Sequence, residues 1–233
     1  MKKKITFFAF SLVIYSLFSI TNIKAQEYKY EIGGMAGVSF YMGDANKTKL
    51  YRNPGPAGGV VFRYNKDFRW AFKSNLVIGH VSGDTKKSGD AFPYAQQSSF
   101  NRMFYELGGQ IEFNFFNYSD KFAYLDTKRF TPYVFTGVGV TYGSGEKKFF
   151  NANIPLGIGV KYKLKERLNI GFEFSFRRLF GDDFDVTKKN QEWDLDDPLY
   201  IKSSFTKNKD WYSLTMFSIT WDFGFRCNPC FND

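Results

Sequence analysis

From Glu106 the chain reads ELGGQIEFNFFNY, with Leu107, Gly109, Ile111, Phe113 and Phe115 at every second position and Glu106, Gln110, Glu112 and Asn114 between them. Period two marks a strand whose faces meet different surroundings, because successive side chains point to opposite sides of the pleat. The same alternation recurs along the chain. Tyr28, Tyr30, Ile32, Ala36, Val38 and Phe40 oppose Lys29, Glu31 and Ser39; Val60, Phe62 and Tyr64 oppose Arg63 and Asn65; Trp70, Phe72, Leu76 and Ile78 oppose Lys73 and Asn75. After the stretch at Glu106 come Phe130 to Tyr142, carrying Val134, Val138 and Val140, then Ile154 to Tyr162 opposite Lys161 and Lys163. Ile170, Phe172, Phe174 and Phe176 oppose Glu173, Ser175 and Arg177, and Phe217 to Phe225 oppose Ser218, Thr220 and Asp222. None of these segments has a helical period.

Polar connections at 42 to 56, 82 to 100, 143 to 152 and 181 to 209 alternate with tight turns at 65 to 68 and 164 to 167 and an intermediate one at 117 to 129. Long loops at one end and short turns at the other are the layout of an outer-membrane barrel, whose even strand number brings both termini to the periplasmic side. The expected fold is therefore all-β, an eight-stranded antiparallel transmembrane β-barrel of the outer membrane. A soluble sandwich or lipocalin-like barrel shares the alternation but buries its apolar face inside. The density of Phe on one face, and aromatics near segment ends at Tyr64, Trp70, Tyr162, Trp211 and Trp221, favour a face turned to lipid.

Composition supports that choice: 21% of residues are aromatic, with 29 Phe and 15 Tyr, and there are 21 Gly. Mean hydropathy is only −0.36, as expected where each apolar residue is offset by a polar neighbour. Lys2, Lys3 and Lys4 before the apolar run Ile5 to Ile20, with Ile23-Lys24-Ala25 ahead of Gln26, form the pattern of a cleaved secretory signal. As a retained anchor the run would be short and broken by Ser11, Ser16 and Ser19. The expected division is a signal peptide at 1–25, a barrel at 26–225 and a periplasmic tail at 226–233. Without the four signal lysines, the net charge of +9 falls to +5, 28 Lys and Arg against 23 Asp and Glu. These charges are interspersed, which argues against a nucleic-acid surface.

With the Phe face in lipid, the barrel interior receives Glu31, Glu106, Glu112, Glu173 and Asp222 beside Arg63, Lys73, Arg102, Lys161, Lys163 and Arg177. A barrel of this size is narrow enough to be filled by side chains, and confined charges must pair. A salt-bridged plug is expected rather than an ion path. Inward glycines, Gly59, Gly79, Gly108, Gly137, Gly139, Gly157, Gly159 and Gly171, make room for long side chains. Candidate chemistry is thin. His80, the only His, shares a face with Ser82 at the outer end of the third strand, the arrangement an outer-leaflet lipid hydrolase would need. An interfacial His beside a loop residue is the plainer reading. Asp182, Asp183, Asp185, Asp194, Asp196 and Asp197 lack calcium-loop spacing. Neither a cofactor, a metal site nor a small-molecule substrate is indicated.

The series EIGGMAGVSFYMGD, NPGPAGGVVFRYN, FRWAFKSNLVIGHVSGD, YELGGQIEFNFFNY, FTPYVFTGVGVTY, NIPLGIGVKYKLKERLNIGFEFSFRRLFGDDFDVT and DWYSLTMFSITWDFGF resembles the PorG-like outer-membrane barrels of the type IX secretion system. It covers nearly all of the chain after the signal, in order. The resemblance implies a non-enzymatic outer-membrane component of the secretion and gliding machinery, associated with a periplasmic ring of the PorK lipoprotein and PorN. A surface barrel acting in adhesion or resistance through its outer loops is the alternative. The tail RCNPCFND holds both cysteines, Cys227 and Cys230. In an oxidising compartment they are expected to close a small loop or to tether a partner through a mixed disulfide.

Overall fold

In the computed structural model, residues 28–42, 51, 53–84, 99–120, 126–145, 147–181, 184 and 210–225 are described. They build eight strands: β1 (Tyr28–Met42), β2 (Gly55–Asn65), β3 (Trp70–Asp84), β4 (Ser99–Asn114), β5 (Phe130–Gly143), β6 (Phe149–Lys165), β7 (Leu168–Leu179) and β8 (Trp211–Phe225). Each pairs antiparallel with its neighbour in sequence, and β1 closes on β8. Closure leaves no open sheet edge, so each strand is paired on both sides, as a bilayer interior requires.

Burial follows the two-residue period. In β3 and β4 alternate residues are buried and exposed almost throughout. The exposed set is apolar: Ile32, Val60, Phe72, Leu107, Val138, Leu156, Phe172 and Ile219 all lie on the outside, with Val138 70% accessible. The buried set includes Glu31, Arg63, Lys73, Glu106, Glu112 and Lys161. A soluble barrel has the opposite arrangement. Aromatic rings band the turn end: Tyr30 lies between Phe62 and Phe223, with centroids 5.9 and 5.5 Å away, and Trp70 packs on Phe113 at 4.9 Å.

Several glycines are required by close approach. A Cβ on inward Gly159 would lie 2.6 Å from the Tyr133 ring, one on Gly157 2.4 Å from Phe135, and one on Gly79 2.4 Å from Phe104. Each missing side chain is the space a neighbouring aromatic occupies.

The strands extend further at the loop end than the alternation indicates. β3 continues through Ser82 to Asp84, paired with Asn101 to Ser99 of β4, and β6 starts at Phe149, so the expected loop at 143 to 152 shrinks to 144–148. Polar outward residues there broke the apolar period although the ladder continues. Phe40 is a second departure. It faces outward yet is fully buried, because the Tyr51 ring lies 4.6 Å from it and the Tyr51 hydroxyl is 2.8 Å from Thr215 Oγ1. The proposed signal peptide, the tail with Cys227 and Cys230, and the loop acids Asp182, Asp183, Asp185, Asp194, Asp196 and Asp197 lie outside the described residues.

The barrel should migrate differently on detergent gels before and after boiling. Gly159→Val, which drives a branched side chain into Tyr133, should destabilise the folded form by about 1–3 kcal/mol, as overpacking does. Densitometry of the unheated band across a urea series measures it.

Candidate functional site in the barrel interior

The polar interior centres on Glu112 of β4. Arg63 of β2 donates through Nε to Glu112 Oε2 at 2.8 Å and through Nη2 to Oε1 at 3.3 Å. Lys161 of β6 donates to Oε2 at 2.5 Å, and Lys73 of β3 lies 3.4 Å from Oε1. The network spreads from there. Arg63 Nη1 also bonds Glu31 of β1, whose carboxylate accepts from Asn65 Nδ2 at 2.8 Å and Thr220 Oγ1 at 3.1 Å. Lys73 donates to Glu173 of β7 at 2.7 Å, which also accepts from the Tyr133 hydroxyl at 3.0 Å. Ring faces complete the cation cages, Phe135 4.1 Å from Lys73 Nζ and Tyr133 4.4 Å from Lys161 Nζ.

Two satellites flank this hub. Toward the turns, Lys163 Nζ and Asn169 Nδ2 each donate to Asp222 at 2.5 Å. Toward the loops, Glu106 accepts from Arg177 Nε at 3.0 Å, Tyr212 hydroxyl at 2.5 Å and Asn75 Nδ2 at 3.0 Å. Arg102 stands apart near the loop end. Its Nη2 donates to Lys147 O at 2.9 Å, and its guanidinium lies 5.8 Å from the Phe149 and Phe184 rings.

Both mouths are stoppered. At the turn end the β4–β5 connection folds inward, so that Tyr118 is buried and its hydroxyl donates to Asn169 Oδ1 at 3.0 Å. Burial, reinforced by the Glu31 and Asp222 carboxylates, holds the Tyr118 phenol well above its usual pKa, so it stays a donor. At the loop end Phe184 is fully buried against Phe104, Phe149 and Tyr212. Asp210 secures it, accepting the Phe184 amide at 3.0 Å and the Tyr41 hydroxyl at 2.5 Å. These residues join an apolar cluster with Met35, Val61, Val77, Val81, Leu179 and Leu214. Sequence alternation missed that cluster because Val61 sits between outward Val60 and Phe62, and Val77 between Leu76 and Ile78, where apolar runs hide the inward member.

His80 and Ser82 do share the outer face at the loop end, but His80 Nε2 lies 2.5 Å from Asn101 Oδ1. The hydrogen bond of the His80 ring is thus to Asn101 rather than to Ser82. Among the described residues no group of His, Cys, Asp and Glu could hold a metal ion.

A closed antiparallel barrel with an apolar exterior, a charge-paired interior and one end of short turns is a transmembrane β-barrel of the outer-membrane class. The chain belongs to the family described as domain of unknown function DUF6089, whose model matches residues 8–233. No curated protein matches it. Among solved structures it is similar to the Neisserial surface protein A, at 11% identity and TM-score 0.50, covering 83% of this chain and 97% of that one. The N-terminal β-barrel domain of Pseudomonas aeruginosa OprF matches at 10% identity and TM-score 0.45, covering 85% and 99%. Ail, the attachment invasion locus protein of Yersinia pestis, matches at 10% identity and TM-score 0.44 over the same shares. At these identities the likeness is one of fold.

Glu112→Leu should cost about 3–5 kcal/mol, because Arg63, Lys73 and Lys161 would lose a shared buried counter-charge; the urea midpoint of the gel-shifted form reports it. The purified native protein should give no stable conductance steps in planar bilayers.

Proposed function

We propose that this protein is a non-enzymatic outer-membrane component of the type IX secretion machinery, docking a periplasmic ring of the PorK and PorN type. The observation that carries the reading is the sealed interior. Among the described residues Glu112 and its cations fill the centre, and buried Tyr118 and Phe184 lie at the two mouths, an arrangement that favours a plug over a path. Activity then belongs to its rims, where a machine component meets partners. The ordered series of glycine and aromatic motifs resembling PorG-like barrels supplies the choice of machine. In this reading residues 1–25 are removed on export, both termini lie in the periplasm, and Cys227 and Cys230 serve partner docking.

A second reading, a surface barrel acting in adhesion or resistance, draws on the long connections at the opposite rim, notably the excursion between Gly181 and Asp210. Deleting the gene separates the two. Loss of type IX cargo secretion, restored by the full chain, supports the machine component; unchanged secretion overturns it. Removing Cys227 to Asp233 should weaken co-purification with the ring.

His80→Ala should leave secretion and the acylation of outer-leaflet lipid unchanged at normal protein level. Altered acylation would instead establish a hydrolase.

A further inference from the structure

The lipid-facing surface has one groove that single lipid-facing side chains do not fill. It lies across β2 to β5 and has a volume of about 580 Å³. Its floor is the cross-strand pair Ser74 and Gly109, and its walls include Phe62, Tyr64, Phe72 and Ile111. A Cβ on Gly109 would meet nothing within 4 Å, so the glycine leaves open space rather than relieving a clash. Every other glycine discussed above does the reverse.

The groove has a direction. Tyr64 and Phe72 sit in the aromatic band beside the β2–β3 turn, whereas Ser74 and Gly109 lie deeper in the apolar belt. A strand rising about 3.3 Å per residue at a tilt of about 40° climbs roughly 2.5 Å per residue along the membrane normal. From Arg69 to Ser74 that gives roughly 13 Å, about half of an apolar band roughly 25 Å tall. The lining, from Tyr64 and Phe72 to Ser74 and Gly109, therefore lies at the level of one leaflet's acyl chains, with its deepest residues near the midplane.

Cations gather at its headgroup end. Lys66 and Arg69 form the β2–β3 turn, and the Lys29 ammonium lies 5.3 Å from the centroid of Tyr64, a wall of the groove. Arg69 is held in place by its Nε bond to Asn117 Oδ1 at 3.0 Å. Asp67, the acid of the turn, is engaged by the backbone, its Oδ1 accepting the Arg69 and Trp70 amides at 2.8 and 2.7 Å. Among the described residues none of Lys29, Lys66 and Arg69 has a carboxylate partner. Three cations without a carboxylate contact among the described residues, outnumbering Asp67 at the foot of an apolar groove, match an anionic phospholipid in both of its parts.

We propose that the β2–β5 face binds one anionic phospholipid of the leaflet on the turn side. An acyl chain fills the groove over Ser74 and Gly109, and the phosphate is held by Lys66 and Arg69, with Lys29 adding to the positive field. Each basic group near an anionic headgroup favours binding about fivefold, so two give a preference of up to roughly thirtyfold over a zwitterionic lipid of the same chains.

The test uses the full-length protein folded in nanodiscs of phosphatidylglycerol and phosphatidylcholine with identical acyl chains, released into the mass spectrometer with its retained lipid. One phosphatidylglycerol should be retained in preference to phosphatidylcholine. Gly109→Leu fills the groove from a position where a Cβ meets nothing within 4 Å and should abolish retention, while Lys66→Gln with Arg69→Gln should erase the headgroup preference. An unchanged gel shift shows that each variant is folded. Equal retention of the two lipids by the native protein, undiminished retention by Gly109→Leu, or a preference that survives the double substitution would each overturn the proposal.

Discussion

A carboxylate in the middle of a barrel is tolerable only if cations reach it, and Glu112 is reached from three directions. Arg63, Lys73 and Lys161 come from β2, β3 and β6, so the pairing ties strands distant around the circumference across the lumen. Backbone ladders join each strand only to its two neighbours; the Glu112 cluster fixes the cross-section. The cost of stripping water from these ions is large, and the attraction repays it only where geometry is good and remaining lone pairs are satisfied. The shells around the hub meet that condition. Asn65 and Thr220 cover Glu31, Tyr133 covers Glu173, and Asn169 covers Asp222.

The glycines follow from this arrangement. Long charged side chains and their aromatic cages need volume inside a closed ring of fixed strand number. Gly157 and Gly159 release it beside Phe135 and Tyr133, the rings that cover Lys73 and Lys161. The glycine richness of the sequence and its buried charges are thus one feature. A side chain at Gly159 would displace Tyr133, and with it a donor to Glu173 and the face over Lys161.

Most of the architecture was legible because a membrane barrel writes itself in period two. Glu31, Arg63, Glu112 and Lys161 could be placed inside from their neighbours alone, since charged residues between outward Phe, Ile and Val have one place to go. Pairing was another matter. That Arg63 bridges Glu31 and Glu112, or that Lys73 spans to Glu173 across 100 positions in sequence, depends on the stagger of the closed sheet. Where both faces are apolar the code falls silent, so the cluster around Val61, Val77 and Leu214 went unseen. Where the outward face turns polar it fails in the opposite sense, and the loop-side ends of β3 and β4 read as loop. Phe184 and Tyr118 are stoppers by tertiary placement, and no local pattern distinguishes them from other loop aromatics.

The interior is consequently built of two materials. Charge pairs fill the part toward the turns, and apolar packing around Phe104, Phe149, Phe184 and Leu179 fills the part toward the loops. They hold shape differently. The ionic part depends on stoichiometry, because Glu112 serves three cations while Arg63 and Lys73 each serve two carboxylates, and losing one group leaves others unpaired. The apolar part depends on volume, which neighbouring side chains can partly recover after a change. Function at the turn-side rim would then rest on a floor that does not adjust, with Tyr118 anchored to Asn169 and through it to Asp222 and Lys163. The opposite rim rests on a packed aromatic layer in which loop residues such as Phe184 take part directly. A surface that must keep its shape benefits from the first kind of support, and long connections are better accommodated by the second.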